Sequence, residues 1–310
     1  MCGPGAAVGE GGMCGPGAVW GPGAVCGAEP IGTGAGASSE PMSHPDTPAF
    51  WNLVDFIGEE MDFEADFYND AYLDRRINAR IRRVDVDEYG QYRRLLERDP
   101  EEREALLDSL SINVTGFFRN PDAWEALVPV LADLTAERRR VRVWSAPCAD
   151  GREPYSLAML ALDSPAVDEG SLDILGTDIN DDILEAARRG VYETSKTTDI
   201  ESELGPLSSY RPYVQRDGDT FEVRDTVRDM VSFEQHDLIR GDPIRNFDLV
   251  ICRNLLIYID TEYKVPIFRT IRGSLRESGF LMIGMTETLP AACRDEFEPI
   301  TKHYRIYRSV

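Results

Sequence analysis

Hydrophobic positions along this chain follow two different rhythms. Phe50, Leu53, Val54 and Ile57 fall at three- and four-residue spacings, and Leu95, Leu96, Leu106, Leu107 and Leu110 continue the theme. Side chains spaced in this way share one face of a helix, so residues 49–110 predict a small all-α domain without strands. From about Ser111 the pattern changes to short apolar runs, each followed by an amphipathic stretch. The runs 142–146, 172–176, 247–252, 279–285 and 304–307 predict strands, and 153–162, 181–189 and 261–275 predict helices. That alternation predicts an α/β domain over 111–310, a mostly parallel sheet covered by helices on both faces, with ligands at the carboxyl ends of the strands.

Two segments break these rhythms. Between Tyr192 and Phe233 the runs 211–214, 220–223 and 230–233 read as short strands around an Asp217-Gly218 turn, which predicts a small antiparallel β-subdomain at about 192–233. Residues 1–48 repeat Met-Cys-Gly-Pro-Gly-Ala from Met1 and again from Met13, and Gly21-Pro-Gly-Ala echoes it. So much glycine and proline cannot bury enough apolar surface to offset chain entropy, so a disordered tail is expected. Translation from Met13 or Met42, with the tail a misassigned upstream region, fits the same residues.

Charge narrows the partners. With 55 acidic against 33 basic residues the formal net charge is −22, and Lys196, Lys264 and Lys302 are the three lysines. Such a surface repels nucleic-acid phosphate and anionic lipid, and its acidity with so little lysine suggests a halophilic protein from a salt-rich cytoplasm. The first basic residue is Arg75 and no long apolar run occurs, so neither an export signal nor a membrane span is expected, and a cytoplasmic monomer is the simplest reading. Cys2, Cys14, Cys26, Cys148, Cys252 and Cys293 form no CxxC pair and match no histidine cluster, which predicts free thiols and no metal site.

One stretch reverses the sign. Residues 75–83 hold five arginines, Arg75, Arg76, Arg80, Arg82 and Arg83, and no acid. Guanidinium forks match carboxylates, so this is a candidate docking face for an acidic partner; on the residues alone a solvated helix face paired with Asp70, Asp74, Asp85 and Asp87 is the favoured reading.

The chemistry concentrates at the strand ends. The turn Ala146-Pro-Cys-Ala-Asp-Gly151 follows the first strand, with Gly151 able to bring backbone close to a ligand, and Asp178 closes the second strand, where an acid can accept hydrogen bonds from a ribose or cap the next helix. A dinucleotide-binding Gly-x-Gly-x-x-Gly and a P-loop are both absent. His44, His236 and His303 stand beside no nucleophile motif. Asn113-Val-Thr-Gly-Phe-Phe-Arg119, the turn with Gly151-Arg-Glu-Pro-Tyr-Ser156, Gly176-Thr-Asp178, and Cys252-Arg-Asn254 with Tyr258 together resemble the CheR-type chemotaxis receptor methyltransferases.

The resemblance spans about residues 50–310. It implies an S-adenosylmethionine-dependent methyltransferase with a Rossmann-like domain, and methylation of glutamate side chains on methyl-accepting chemotaxis receptors. By similarity Asn113, Thr115, Arg119, Glu153, Asp178, Asp237, Leu238, Arg253 and Asn254 bind the cofactor, and Arg119 and Tyr258 stand nearest the methyl group. It also implies that the arginine helix contacts the receptor. No strong base is demanded, because glutamate is ionised near pH 7. Two positions depart from the family: Arg152 stands where a second acid is usual, and Asp237 where many relatives carry Asn. The β-subdomain loop is shorter than in members that grip a receptor's C-terminal peptide, which predicts direct, tether-independent recognition.

Overall fold

The computed structural model describes residues 47–61, 63–110, 115–195 and 198–310. The tail expected over 1–48 lies outside them up to residue 46, and so does Asn113.

Four helices form the first layer: α1 (Pro48–Glu60), α2 (Asp70–Ile81), α3 (Tyr89–Leu96) and α4 (Pro100–Leu110). Their apolar stripes meet in one core that includes Phe50, Leu53, Tyr72, Ile77, Tyr92, Leu106 and Leu110. Thr47 caps α1 and Asn69 caps α2 through their side chains, each satisfying an amide that the helix itself leaves open.

The rest of the chain builds the α/β layers. In order come α5 (Pro121–Glu137), β1 (Val141–Ser145), α6 (Arg152–Asp163), β2 (Leu172–Asp178), α7 (Asp181–Arg189), β3 (Val191–Glu193), α8 (Ile200–Glu203), β4 (Val214–Asp217), β5 (Thr220–Val223), α9 (Asp225–Arg228), β6 (Val231–Gln235), β7 (Phe247–Cys252), α10 (Thr261–Ser274), β8 (Leu275–Ile283), β9 (Phe297–Thr301) and β10 (Ile306–Ser309). The main sheet has the order β6-β2-β1-β7-β8-β10-β9. Strands β6, β2, β1, β7 and β8 run parallel, while β10 runs antiparallel to both of its neighbours, β8 and β9. All six residues of β7 are buried, the burial expected of a central parallel strand.

Two expectations need correcting. The run 230–233, read as part of the β-subdomain, contributes instead to β6, which pairs in parallel with β2 at the edge of the main sheet. Its place in the small sheet is taken by β3, giving the order β3-β5-β4. Periodicity cannot distinguish these pairings, because a four-residue strand reads the same in either sheet. Strand β9 was also unforeseen; only Phe297 of its five residues is buried, so it lacks the apolar run that marked the others.

The structure gives Gly151 two requirements of its own. Its φ of +86° lies in the left-handed region, and a Cβ there would sit 2.9 Å from the Ala187 Cβ and 3.0 Å from the Phe233 ring. The glycine is therefore required by its backbone conformation and by packing against α7 and β6. Cys148, Cys252 and Cys293 are buried free thiols, and Cys2, Cys14 and Cys26 lie outside the described residues. No group of acids, histidines and cysteines suited to a metal and no helix long and apolar enough to cross a membrane occurs among the described residues.

Candidate active site

The order of the sheet reverses between β1 and β7, and the loops at the carboxyl ends of these strands lie where such a switch point places a ligand crevice. Parallel pairing continues past the strand ends: the Ala146 amide donates to the Ile251 carbonyl at 2.9 Å, Cys148 to Thr177 at 2.8 Å, and His236 to Asp178 at 3.0 Å. The turn after β1, Asp178, His236-Asp237 and Arg253-Asn254 are thereby gathered at one edge.

Glu153 is the second residue of α6 and reaches back across the turn. Its Oε1 accepts from Ser145 Oγ at 2.8 Å, and its Oε2 lies 3.4 Å from Arg253 Nη1. Burial raises the Glu153 carboxyl above its ordinary value of 4.5, opposed by Arg253 and by the Ser145 hydrogen bond. Burial likewise lowers Arg253, opposed mainly by Glu153.

The Arg253 side chain is 1% exposed. It donates to the Arg119 carbonyl at 2.7 Å and to Asn120 Oδ1 at 3.0 Å, and lies 5.5 Å from the Trp124 ring centre. Its Nε is buried without a hydrogen-bond partner among the described residues. Arg253 thus fixes the backbone of the segment that carries Arg119, whose side chain is half-buried. Phe118 and Asn120 flank Arg119 at positive φ, and the Phe118 amide donates to Ser156 Oγ at 2.9 Å.

Asp178 accepts from the Ala149 amide at 3.0 Å and the Asn180 amide at 3.1 Å. Burial raises its carboxyl, partly offset by these amides and that of Ile179. It is not the cap of α7. Asn180 takes that role, accepting from Asp182 and Ile183. Asp237 Oδ1 accepts from Ile239 at 2.7 Å and Arg240 at 3.0 Å, and Leu238 packs into the core beneath the sheet with Trp144 and Phe247.

The unusual Arg152 has local partners. It pairs with Asp150 at 3.0 Å and with Glu203 of α8 at 3.4 Å. Burial works against its charge, and Asp150 and Glu203 more than restore it. Glu203 also accepts from the Phe117 amide at 2.9 Å, so this network ties the insert beside the small sheet to the segment bearing Thr115 and Arg119.

The arginine helix is α2 for Arg75, Arg76 and Arg80, while Arg82 caps its end and Arg83 follows in the turn. Arg75, Arg82 and Arg83 are exposed, while Arg75 and Arg76 lie 5.7 and 5.3 Å from the centre of the Tyr72 ring. None of Arg75, Arg76, Arg82 and Arg83 lies within 4.0 Å of a carboxylate among the described residues, so the alternative of pairing with Asp70, Asp74, Asp85 and Asp87 finds no ion pair to support it. Asp74 is engaged by Asn78 and by the Tyr89 hydroxyl. Arg80 differs: its guanidinium makes a two-point contact with Glu102 at 3.0 and 2.5 Å, with only 14% of the side chain exposed. That geometry gives Arg80 a structural task within the helical core.

Tyr258 is half-buried, with its ring centre 4.9 Å from that of Tyr72. Phe63, Tyr68 and Tyr72 continue the aromatic row at 5.1 and 5.5 Å. Burial raises the Tyr68 hydroxyl well above the usual phenol range, with Tyr72, Asp178 and Asp237 adding to it, which puts Tyr68 in electrostatic reach of the crevice.

Glu287 escaped the sequence reading. It is 2% exposed and accepts from the amides of Gly284 at 2.6 Å, Leu256 at 2.7 Å and Asn254 at 3.1 Å. Asn254 is at φ 61°, so this carboxylate stabilises the turn between Arg253 and Tyr258. A single acid after a buried strand gives no periodic or motif signal.

A reversed parallel sheet, a glycine turn after β1 and an acid at the end of β2 define a Rossmann-like fold of the nucleotide-cofactor class. Residues 48–111 match the CheR methyltransferase all-alpha domain, and residues 113–306 match the CheR methyltransferase SAM-binding domain. The chain is 33% identical to a chemotaxis protein methyltransferase of Listeria monocytogenes over 235 residues, 75% of this chain and 87% of that protein. It is 32% identical to its counterpart in Listeria innocua, covering 75% and 87%, and 31% identical to a probable chemotaxis protein methyltransferase of Rhizobium etli, covering 73% and 87%. The chain belongs to the CheR methyltransferase family and is a SAM-dependent methyltransferase.

Proposed function

We propose that this protein transfers methyl groups from S-adenosylmethionine to glutamate side chains on the cytoplasmic signalling domains of chemoreceptors. The observation that carries this reading is the adjacency to Tyr258 of an arginine face with no carboxylate partner among the described residues: Arg75 and Arg76 lie over one ring, Tyr72, whose neighbour is Tyr258 at 4.9 Å. A substrate rich in carboxylates that docks on α2 would meet the crevice at that tyrosine.

The crevice suits the cofactor's chemistry. A cationic sulfonium, an amino acid group and a ribose diol call for acceptors, and Glu153 and Asp178 supply carboxylates there, with Arg253 Nε buried and open. In this reading Asp178 accepts from the ribose hydroxyls, its lone pairs not being exhausted by the amides it engages. Glu153 serves the amino acid portion, Asp237 and Leu238 flank the adenine, and Thr115 and Asn254 line the wall; Asn113, outside the described residues, is assigned to the cofactor by resemblance alone. When bound, the cofactor supplies a methyl group already activated on sulfur.

The side chains then have little proton chemistry to perform. A substrate glutamate titrates near 4.3 in water and is ionised at neutral pH, about the charge state transfer needs. The Arg119 guanidinium holds that carboxylate by its fork, and the Tyr258 phenol orients it. Alignment and exclusion of water account for the remaining catalysis. Recognition of the receptor is direct and tether-independent, in keeping with a β4–β5 hairpin that closes through Gly218 and Asp219 alone.

The test is incubation of the purified protein in high KCl with methyl-labelled S-adenosylmethionine and a receptor cytoplasmic fragment. Alkali-labile label on glutamate supports the reading. Cofactor binding without transfer to any receptor fragment overturns it in favour of a sensor or another substrate, and measurable affinity for a receptor C-terminal peptide overturns tether independence.

A further inference from the structure

The connection between α2 and the Tyr258 loop runs through one side chain. Asn69 is the N-cap of α2, and its Oδ1 accepts from the Tyr72 amide at 2.9 Å. The same amide group donates through Nδ2 to the Ile257 carbonyl at 3.1 Å, and the Asn69 backbone N–H donates to the Tyr258 carbonyl at 2.9 Å. An antiparallel bridge between Tyr68 and Ile259, and the Asp260 amide donating to Phe67 at 2.8 Å, complete the contact. Asn69 therefore uses an acceptor to start the arginine helix and two donors to hold the carbonyls of the two peptide units that flank the Tyr258 Cα.

We infer that Asn69 is a positioning residue that fixes Tyr258 relative to the arginine helix, so that a substrate docked on α2 is delivered to a tyrosine already at the right depth. This rests on the function proposed above and adds to it the device that links docking to alignment. Solvent reaches the Asn69–Ile257 hydrogen bond, so its loss costs little stability. Its effect is directional: displacement of a reacting group by about 1 Å costs up to about a hundredfold in rate.

The two duties of the side chain can be separated. Aspartate and serine both cap helices well, and neither carries the amide donor. In N69D the carboxylate also faces the Ile257 carbonyl, acceptor against acceptor, whereas N69S removes the donor alone. Both variants should melt close to the parent, bind S-adenosylhomocysteine unchanged and retain the parent KM for the receptor fragment. Their kcat should fall, about tenfold or more in N69D and less in N69S, because the backbone contacts to Tyr258 and Phe67 persist.

Hydrogen exchange gives a readout that needs no substrate, with faster exchange at residues 256–260 and unchanged exchange within 70–81. Parent exchange rates at 256–260 in both variants overturn the clamp whatever the activity. A fall in kcat shared equally with SAH affinity, or a loss of protection along α2, also overturns it by showing a general structural role. Altered exchange in a chain whose parent methylates no receptor would retain the clamp and refute the proposed substrate.

Discussion

Two largely buried arginine–glutamate contacts divide the molecule's labour. In the helical layer Arg80 and Glu102 meet at two points, and Glu102 Oε1 also accepts from the Tyr92 hydroxyl at 2.6 Å. Both carboxylate oxygens are engaged in a closed arrangement. In the α/β layer Arg253 and Glu153 meet once, at 3.4 Å, with the Arg253 Nε unpartnered. One pair is complete within the fold; the other keeps hydrogen-bonding capacity in reserve beside a crevice. Loose geometry in a buried charge pair is costly, which makes the second pair the better indicator of a ligand site.

The largest effect should come from breaking the closed pair. Glu102→Ala strands the Arg80 guanidinium and the Tyr92 hydroxyl, with an expected cost of about 3–5 kcal/mol in urea unfolding. A change below about 1 kcal/mol would erase the distinction between the pairs. For the same reason a charge reversal meant to probe docking must leave Arg80 in place.

Opening the loose pair should impair the ligand and, because it leaves the buried Arg253 guanidinium without its carboxylate, should also cost some stability. Glu153→Gln keeps the Ser145 contact, and calorimetry should show affinity for S-adenosylhomocysteine reduced about tenfold or more, since a hydrogen bond to a charged group contributes about 1.5–3 kcal/mol. Because the folded pKa of Glu153 lies above the ordinary 4.5, the folded chain holds more protons than the unfolded one between the two values. Acidification through that window should stabilise the fold, as far as Glu153 contributes, while weakening binding. Asp178 and Glu287 act in the same direction, so E153Q should reduce both trends without abolishing them.

Reversing the exposed arginines comes next. A triple change of Arg75, Arg82 and Arg83 to Glu should raise KM for a receptor fragment about tenfold and leave cofactor affinity alone; equal loss of both would end the docking role. The contrast should shrink with added salt, because the screening length falls to about 3 Å at molar ionic strength. Smallest of all should be Asp237→Asn. Asn can offer the same Oδ1 to the Ile239 and Arg240 amides, so thermal stability should move by less than about 0.5 kcal/mol and cofactor affinity by less than about threefold.

How much was legible varied with the range of the interaction. Helices and central strands appeared in the periodicity because burial of a whole face leaves a repeating trace. The placement of β6 beside β2 did not, since parallel pairing between residues as far apart as Ile174 and Val231 leaves no local signature. Asp178 could be recognised at a strand end, whereas Glu287 and Asn69 act on backbone groups of distant loops and could not.

The sequence by itself determined an acidic chain with an all-α region before an α/β region, an arginine-rich helix, and motifs whose combination resembles one family, because those properties reside in composition and short spacing. Tertiary structure decided which arginine is sequestered by Glu102, which acid braces the Asn254 turn and what holds Tyr258 against α2. Those outcomes depend on which donors and acceptors the fold brings within about 3 Å, and that choice belongs to the packed chain.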